Sequence, residues 1–84
     1  MQTREDIFIT LRDALVELFE VEQSRINLDS NLYQDLEIDS IDAVDLLDHI
    51  KRQTGKKIAA EDFKAVRTVG DVVEAVNRLV NPAA

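Results

Sequence analysis

Asp39-Ser40-Ile41-Asp42-Ala43-Val44-Asp45-Leu46-Leu47-Asp48-His49-Ile50-Lys51-Arg52-Gln53-Thr54-Gly55 is the stretch whose pattern decides the fold. Ile41, Val44, Leu47 and Ile50, with Leu46 beside them, return every three residues and predict one buried stripe on an amphipathic helix over about residues 40–53. Asp39 supplies a carboxylate to cap its first turn. Gly55 suits the left-handed residue that follows a helix, and Lys51 and Arg52 place positive charge at the negative end of the helix dipole.

Outward from this helix, Thr3 with Asp6 three residues on resembles a capping box, and Ile7, Leu11, Leu15 and Leu18 predict a first amphipathic helix over about residues 4–20. Residues 21–38 are polar and turn-rich, and are expected to form a long loop packed down by Val21, Ile26, Leu28 and Leu32. Ala60-Glu61-Asp62-Phe63 supports a short helix over about 60–65. Thr68 with Asp71 repeats the capping pattern before Val69, Val72, Val73, Val76, Leu79 and Val80, so a last helix is expected over about 69–80, stopped by Pro82. No alternation long enough for a sheet is present. The expected architecture is all-α, a small bundle of three main helices and one short one.

With 84 residues, only one domain is expected. Two Gly and one Pro are too few for a linker or collagenous chain. The longest aliphatic and aromatic runs are three residues, such as Ile7-Phe8-Ile9, so no membrane span is expected. Neither is a secretory signal, which makes the cytoplasm the default compartment. The absence of cysteine excludes disulfides and a cysteine nucleophile, and with a single histidine no metal site is expected.

The formal net charge of −7 argues against nucleic acid as a partner. Asp29, Asp35, Glu37, Asp39, Asp42, Asp45 and Asp48 fall in a stretch without Lys or Arg, so the whole excess sits in one quarter of the chain. Such polarity steers association with basic partners, while the plain alternative is a solvated face kept for solubility. Strong negative charge also favours a monomer. Asp39, Asp42, Asp45 and Asp48 stand at successive i, i+3 positions, where like charges oppose helix formation by a few tenths of a kcal/mol per pair. The dipole offsets Asp39 and Asp42 but fades within a turn, leaving Asp45 and Asp48 as an uncompensated cost and pointing to a binding surface.

Ser40 lies at the positive end of the same helix, where a phosphate ester would meet free backbone N–H groups. On local features alone the plainer reading is an ordinary first-turn serine. Asp29-Ser30 is a second Asp-Ser pair, but no helical stripe follows it and Ser30 is expected to cap a turn.

Asp35-Leu36-Glu37-Ile38-Asp39-Ser40-Ile41-Asp42-Ala43-Val44-Asp45-Leu46 resembles the phosphopantetheine attachment site of acyl carrier proteins, whose usual form is Asp-Leu-Gly-x-Asp-Ser-Leu before an acidic amphipathic helix. The resemblance extends over nearly the whole chain. It implies a carrier without catalysis of its own. A transferase using coenzyme A and a divalent metal would attach 4′-phosphopantetheine to Ser40, and acyl groups would ride on the arm as thioesters. It also implies that Asp39 helps the transferase position the site, and that Asp42, Asp45 and Asp48, with Glu37 and Ile41, meet basic patches on acyl-transfer, ketosynthase and related enzymes. Val44 is implied in the contact, in an acyl-lined interior or in ordinary core.

Three departures bear on specificity. Glu37 stands where the family commonly has Gly, Asp48 where fatty-acid carriers often expose an apolar side chain, and Lys51 and Arg52 where those carriers are often acidic. Asp before Ser favours acyl over aminoacyl cargo, and the short tail implies a free-standing carrier. Fatty-acid, polyketide or polyene, and related lipid biosynthesis all use such carriers.

Other chemistries fit poorly. Ser40 and His49 are separated by about 13.5 Å of helical rise, too far for a hydrolytic triad. A calcium loop from Asp35 would need Gly at the position of Ser40 and Glu at that of Leu46. The reading from a different class is an unmodified acidic helical adaptor docking onto a basic protein.

Overall fold

Thr3 opens the first helix by accepting the Asp6 N–H on its hydroxyl at 3.1 Å. The computed structural model describes residues 3–81, and among these the helices are α1 (Arg4–Phe19), α2 (Ser40–Thr54), α3 (Ala60–Lys64) and α4 (Val69–Val80), with a 3-10 turn at Gln23–Arg25. The bundle is all-helical, as expected. Among the described residues, Asn31 and Thr68 form an isolated antiparallel bridge and no strand is present. Pro82, expected to stop the last helix, lies outside the described residues.

The ends of the helices follow from local chemistry. Thr68 caps α4 through the Asp71 N–H while the Asp71 carboxylate accepts from the Thr68 and Arg67 N–H groups, at 3.1 and 3.0 Å. α2 ends at Gly55 with φ +73°, a left-handed conformation that L side chains adopt at a cost. α1 ends in the same conformation at Glu20, φ 55°, without a glycine. The Lys56 ammonium donates to the Leu79 carbonyl at 3.0 Å, placing a cation on the last turn of α4.

The core forms where α1 packs on α4 and on α2. Leu15, Leu46, Val69 and Val72 are fully enclosed, and burial of each such side chain is worth about 1.5–3 kcal/mol. α3 adds Phe63, also buried.

Four expected core positions are surface positions. Leu18 is 40% exposed and Leu28 52% exposed, so neither anchors its segment by its side chain. Leu28 works through its backbone instead, its carbonyl accepting the Gly70 N–H at 2.9 Å. A Cβ at Gly70 would lie 3.0 Å from that oxygen, so a residue without a side chain permits this approach. The other two belong to the expected stripe on α2, whose buried members are Ala43, Leu46 and Ile50. Ile41 and Val44 are 72% and 64% exposed. Each three-residue step turns about 300°, so over nine residues Ile41 and Ile50 come to lie on opposite sides of the helix.

The loop from 20 to 39 is fastened along its length. Leu32 N–H donates to the Arg67 carbonyl, Val69 N–H to that of Ser30, and Gly70 N–H to that of Leu28. Ile26, Leu32, Leu36 and Ile38 turn into the core.

Candidate functional site: the head of the second helix

Ser40 is the first residue of α2 and is exposed. Among the described residues its hydroxyl makes no hydrogen bond. Ser30, by contrast, is buried, its hydroxyl accepting the Asn27 N–H at 3.0 Å and donating to the Arg25 carbonyl at 2.7 Å. Of the two Asp-Ser pairs, only one leaves an oxygen available to an incoming reagent.

Asp39 caps the helix as its chemistry requires, one carboxylate oxygen accepting the Ile41 and Asp42 N–H groups at 3.0 and 2.9 Å. This corrects the expectation of an open N-terminus. Two first-turn amides are already satisfied by Asp39, and the Ala43 N–H donates to the Asp39 carbonyl. A phosphate on Ser40 is left with the Ser40 amide and the helix dipole rather than a ring of free donors.

The carboxylates do not share one face, because three-residue spacing winds them around the helix. Asp42 sits at the half-buried flank and completes the capping box with Asp39. Asp45 is exposed and, among the described residues, is in no ion pair. Asp48 was expected to be an uncompensated charge, but its carboxylate is 3.0 Å from the Arg52 guanidinium in an i, i+4 pair. Such exposed pairs contribute about 0.3–0.5 kcal/mol.

The outward face of α2 is therefore mixed. Ile41 and Val44 follow Ser40, and Val44 and Leu47 run into a groove shared with Lys51, Lys57 and Ile58. Sequence reasoning assigned Ile41 and Val44 to the buried stripe and did not single out Lys57; a 100° wheel in place of a three-residue count separates the exposed pair from the core.

Before Ser40, Glu37 has φ +56° and an exposed side chain. The position demands a left-handed backbone, which is the physical reason a glycine fits there and why glutamate costs about 1–2 kcal/mol of conformational energy. Its neighbours Leu36 and Ile38 are both buried and hold the turn from either side. No group of three or more metal-ligating side chains is assembled among the described residues, and no described helix is long and apolar enough to cross a membrane.

A free serine at the head of a capped acidic helix, on a four-helix bundle with a long strapped loop, is the arrangement that the resemblance to small acyl carrier domains implies. Residues 10–76 match the family described as "Phosphopantetheine attachment site". The chain is 41% identical to Acyl carrier protein 2 of Ralstonia nicotianae, over 93% of this chain and 96% of that one. It is 32% identical to an acyl carrier protein of Thermotoga maritima, over 93% and 96%, and 34% identical to the meromycolate extension acyl carrier protein of Mycolicibacterium smegmatis, over 92% and 78%. The fold is similar to the solution structure of the apo doublet acyl carrier protein from prodigiosin biosynthesis, with TM-score 0.73 and 22% identity, covering 95% of this chain and 42% of that one. The chain belongs to the acyl carrier protein family, whose members are carriers bearing covalently attached 4′-phosphopantetheine and working with biosynthetic enzymes.

Proposed function

We propose that this chain carries acyl intermediates as thioesters, with Ser40 as the attachment residue. The observation that carries the reading is the exposed, unbonded Ser40 hydroxyl at the first position of α2, within the matched family region. A phosphopantetheinyl transferase moves the arm from coenzyme A onto that oxygen: the serine hydroxyl gives up its proton and forms a phosphoester with the pantetheine-side phosphorus as the pyrophosphate bond of coenzyme A breaks and adenosine 3′,5′-bisphosphate leaves. The arm supplies a thiol, which a chain without cysteine does not otherwise possess. Asp39 caps the first turn of α2, from which the serine projects, and it contributes negative charge to transferase recognition.

The same helix presents the carrier to enzymes. Ile41 offers apolar contact, and Asp45 with Glu37 offers charge to basic patches on ketosynthases and acyl-transfer enzymes. Asp42 and Asp48 contribute as partners that are also engaged within the chain. Exposed ion pairs worth about 0–1 kcal/mol each suit partners that dock and leave repeatedly. The pathway is one of fatty-acid, polyketide or polyene, or related lipid biosynthesis.

Intact-mass measurement after coexpression with a phosphopantetheinyl transferase tests the assignment. One 4′-phosphopantetheine is expected on the wild type and on Ser30→Ala, and none on Ser40→Ala. An unchanged wild-type mass, with a control carrier modified in parallel, overturns the reading in favour of an acidic adaptor.

A further inference from the structure

We propose that Arg25 is a positioning residue for the attachment serine, bracing the left-handed turn at Glu37 from across the loop; this rests on the assignment of Ser40 above. Arg25 ends the 3-10 turn and reaches ten residues forward, its Nη2 donating to the Asp35 carbonyl at 2.5 Å. Asp35 is held through its N–H, its carbonyl and one carboxylate oxygen. Its N–H donates to the Asn31 carbonyl at 2.9 Å, and its carboxylate accepts the Asn31 N–H at 2.7 Å. Leu36 follows, buried, with its own N–H on the Asn31 carbonyl at 3.1 Å. Then comes Glu37 at φ +56°, and then buried Ile38, whose N–H donates to the Leu32 carbonyl at 2.9 Å.

The chain direction into Asp39 and Ser40 is thus set by one backbone conformation that glutamate disfavours. Such a conformation persists only when its surroundings over-determine it. Arg25 is the charged side chain that ties the carbonyl side of this turn to an earlier segment of the loop. Seven acids lie between Asp29 and Asp48, yet among the described residues Arg25 forms no ion pair with any of them. Its guanidinium is committed to a backbone oxygen, and a charged donor makes a stronger bond there than a neutral one. With a glycine at position 37 the left-handed turn would stand without help, and the brace would be redundant.

The inference predicts coupling between Arg25 and Glu37. Initial rates of phosphopantetheine transfer from coenzyme A are measured against carrier concentration for wild type, Arg25→Gln, Arg25→Lys and Glu37→Gly, and for each Arg25 variant combined with Glu37→Gly. Arg25→Gln is expected to lower kcat/KM about tenfold, mainly through KM, and Arg25→Lys by no more than about twofold; in the Glu37→Gly background Arg25→Gln should cost under about twofold. Amide NMR supplies a readout independent of the enzyme. Signals of residues 35–41 should move in Arg25→Gln and return towards wild-type positions in Arg25→Lys, while those of α4 stay in place. Equal kcat/KM for wild type and Arg25→Gln overturns the proposal. So does an equal loss with and without Glu37→Gly, which would mean that Arg25 touches the transferase directly. If the wild type accepts no arm while a control carrier does, the assignment of Ser40 fails, and the NMR comparison then decides the brace alone.

Discussion

Asp39 and Asp42 cap each other across the first turn of α2: the Asp39 carboxylate accepts the Asp42 N–H at 2.9 Å, and the Asp42 carboxylate accepts the Asp39 N–H at 3.4 Å. Two members of the acidic series therefore build the helix end that displays Ser40. Asp45, one turn on, has no such employment among the described residues. The series divides into carboxylates engaged within the chain, Asp39 and Asp42 at the cap and Asp48 with Arg52, and Asp45, which is exposed and in no ion pair among the described residues.

Lysine substitution separates these roles. Asp42→Lys is expected to cost about 1 kcal/mol through the lost cap, a melting shift of about 4–8 °C in a domain of this size. Asp45→Lys should leave the melting temperature within about 1 °C while weakening binding to a basic-patch partner by several-fold. Thermal melts and binding titrations on both variants check this. Equal thermal losses would remove the distinction.

The exposed apolar pair on α2 gives a second contrast. Ile41→Ser and Val44→Ser remove surface side chains, so stability should change by less than about 0.5 kcal/mol while partner binding falls. Leu46→Ala empties an enclosed site and should cost about 2–5 kcal/mol. Urea unfolding distinguishes them, and a core-sized loss in Ile41→Ser would place that side chain inside the protein.

Backbone sign makes opposite predictions at two positions. Glu37→Gly relieves a left-handed glutamate and should stabilise by about 0.5–1 kcal/mol; Gly55→Ala imposes a side chain on a left-handed cap and should destabilise by about 1–2 kcal/mol. Calorimetry on the pair tests both signs. A destabilised Glu37→Gly would count against the turn described here.

Asp71 carries a pH dependence. Hydrogen bonds from the Arg67 and Thr68 backbone N–H groups hold its carboxyl below the ordinary carboxylate range. The folded state therefore prefers the ionised form, and its stabilising effect is complete above about pH 4 and disappears as pH falls through the lower folded value. Wild type should exceed Asp71→Ala in stability by about 1 kcal/mol at neutral pH, with the gap closing in acid. Melts across the acid range measure it; a gap independent of pH would assign the effect to something other than the carboxylate.

The helix boundaries were legible because their determinants are local. Thr3, Asp39, Thr68 and Gly55 act on groups within four residues, and those spacings are visible in any chain. The burial of α2 was misjudged for a different reason: Ile41, Val44, Leu47 and Ile50 look regular when counted in threes, yet a period of 3.6 carries them progressively around the axis. Asp48 and Arg52 stand at a readable i, i+4 spacing that the emphasis on repeated acids concealed. Leu28 holds the loop with its carbonyl, and Arg25 holds it through the carbonyl of Asp35; neither contact depends on a hydropathy pattern. Glu37 was visible only as a departure from the family's glycine, and the sign of its φ explains the preference.

The three backbone hydrogen bonds joining residues 28–32 to residues 67–70 have a consequence for exchange with solvent. The N–H groups of Leu32, Val69 and Gly70 are locked between segments nearly forty residues apart in sequence, so deuterium should replace them only when the bundle opens as a whole. The long connection then acts as a fourth wall. Swapping it for a flexible spacer of equal length would unseat α4 as well as the serine that the wall carries.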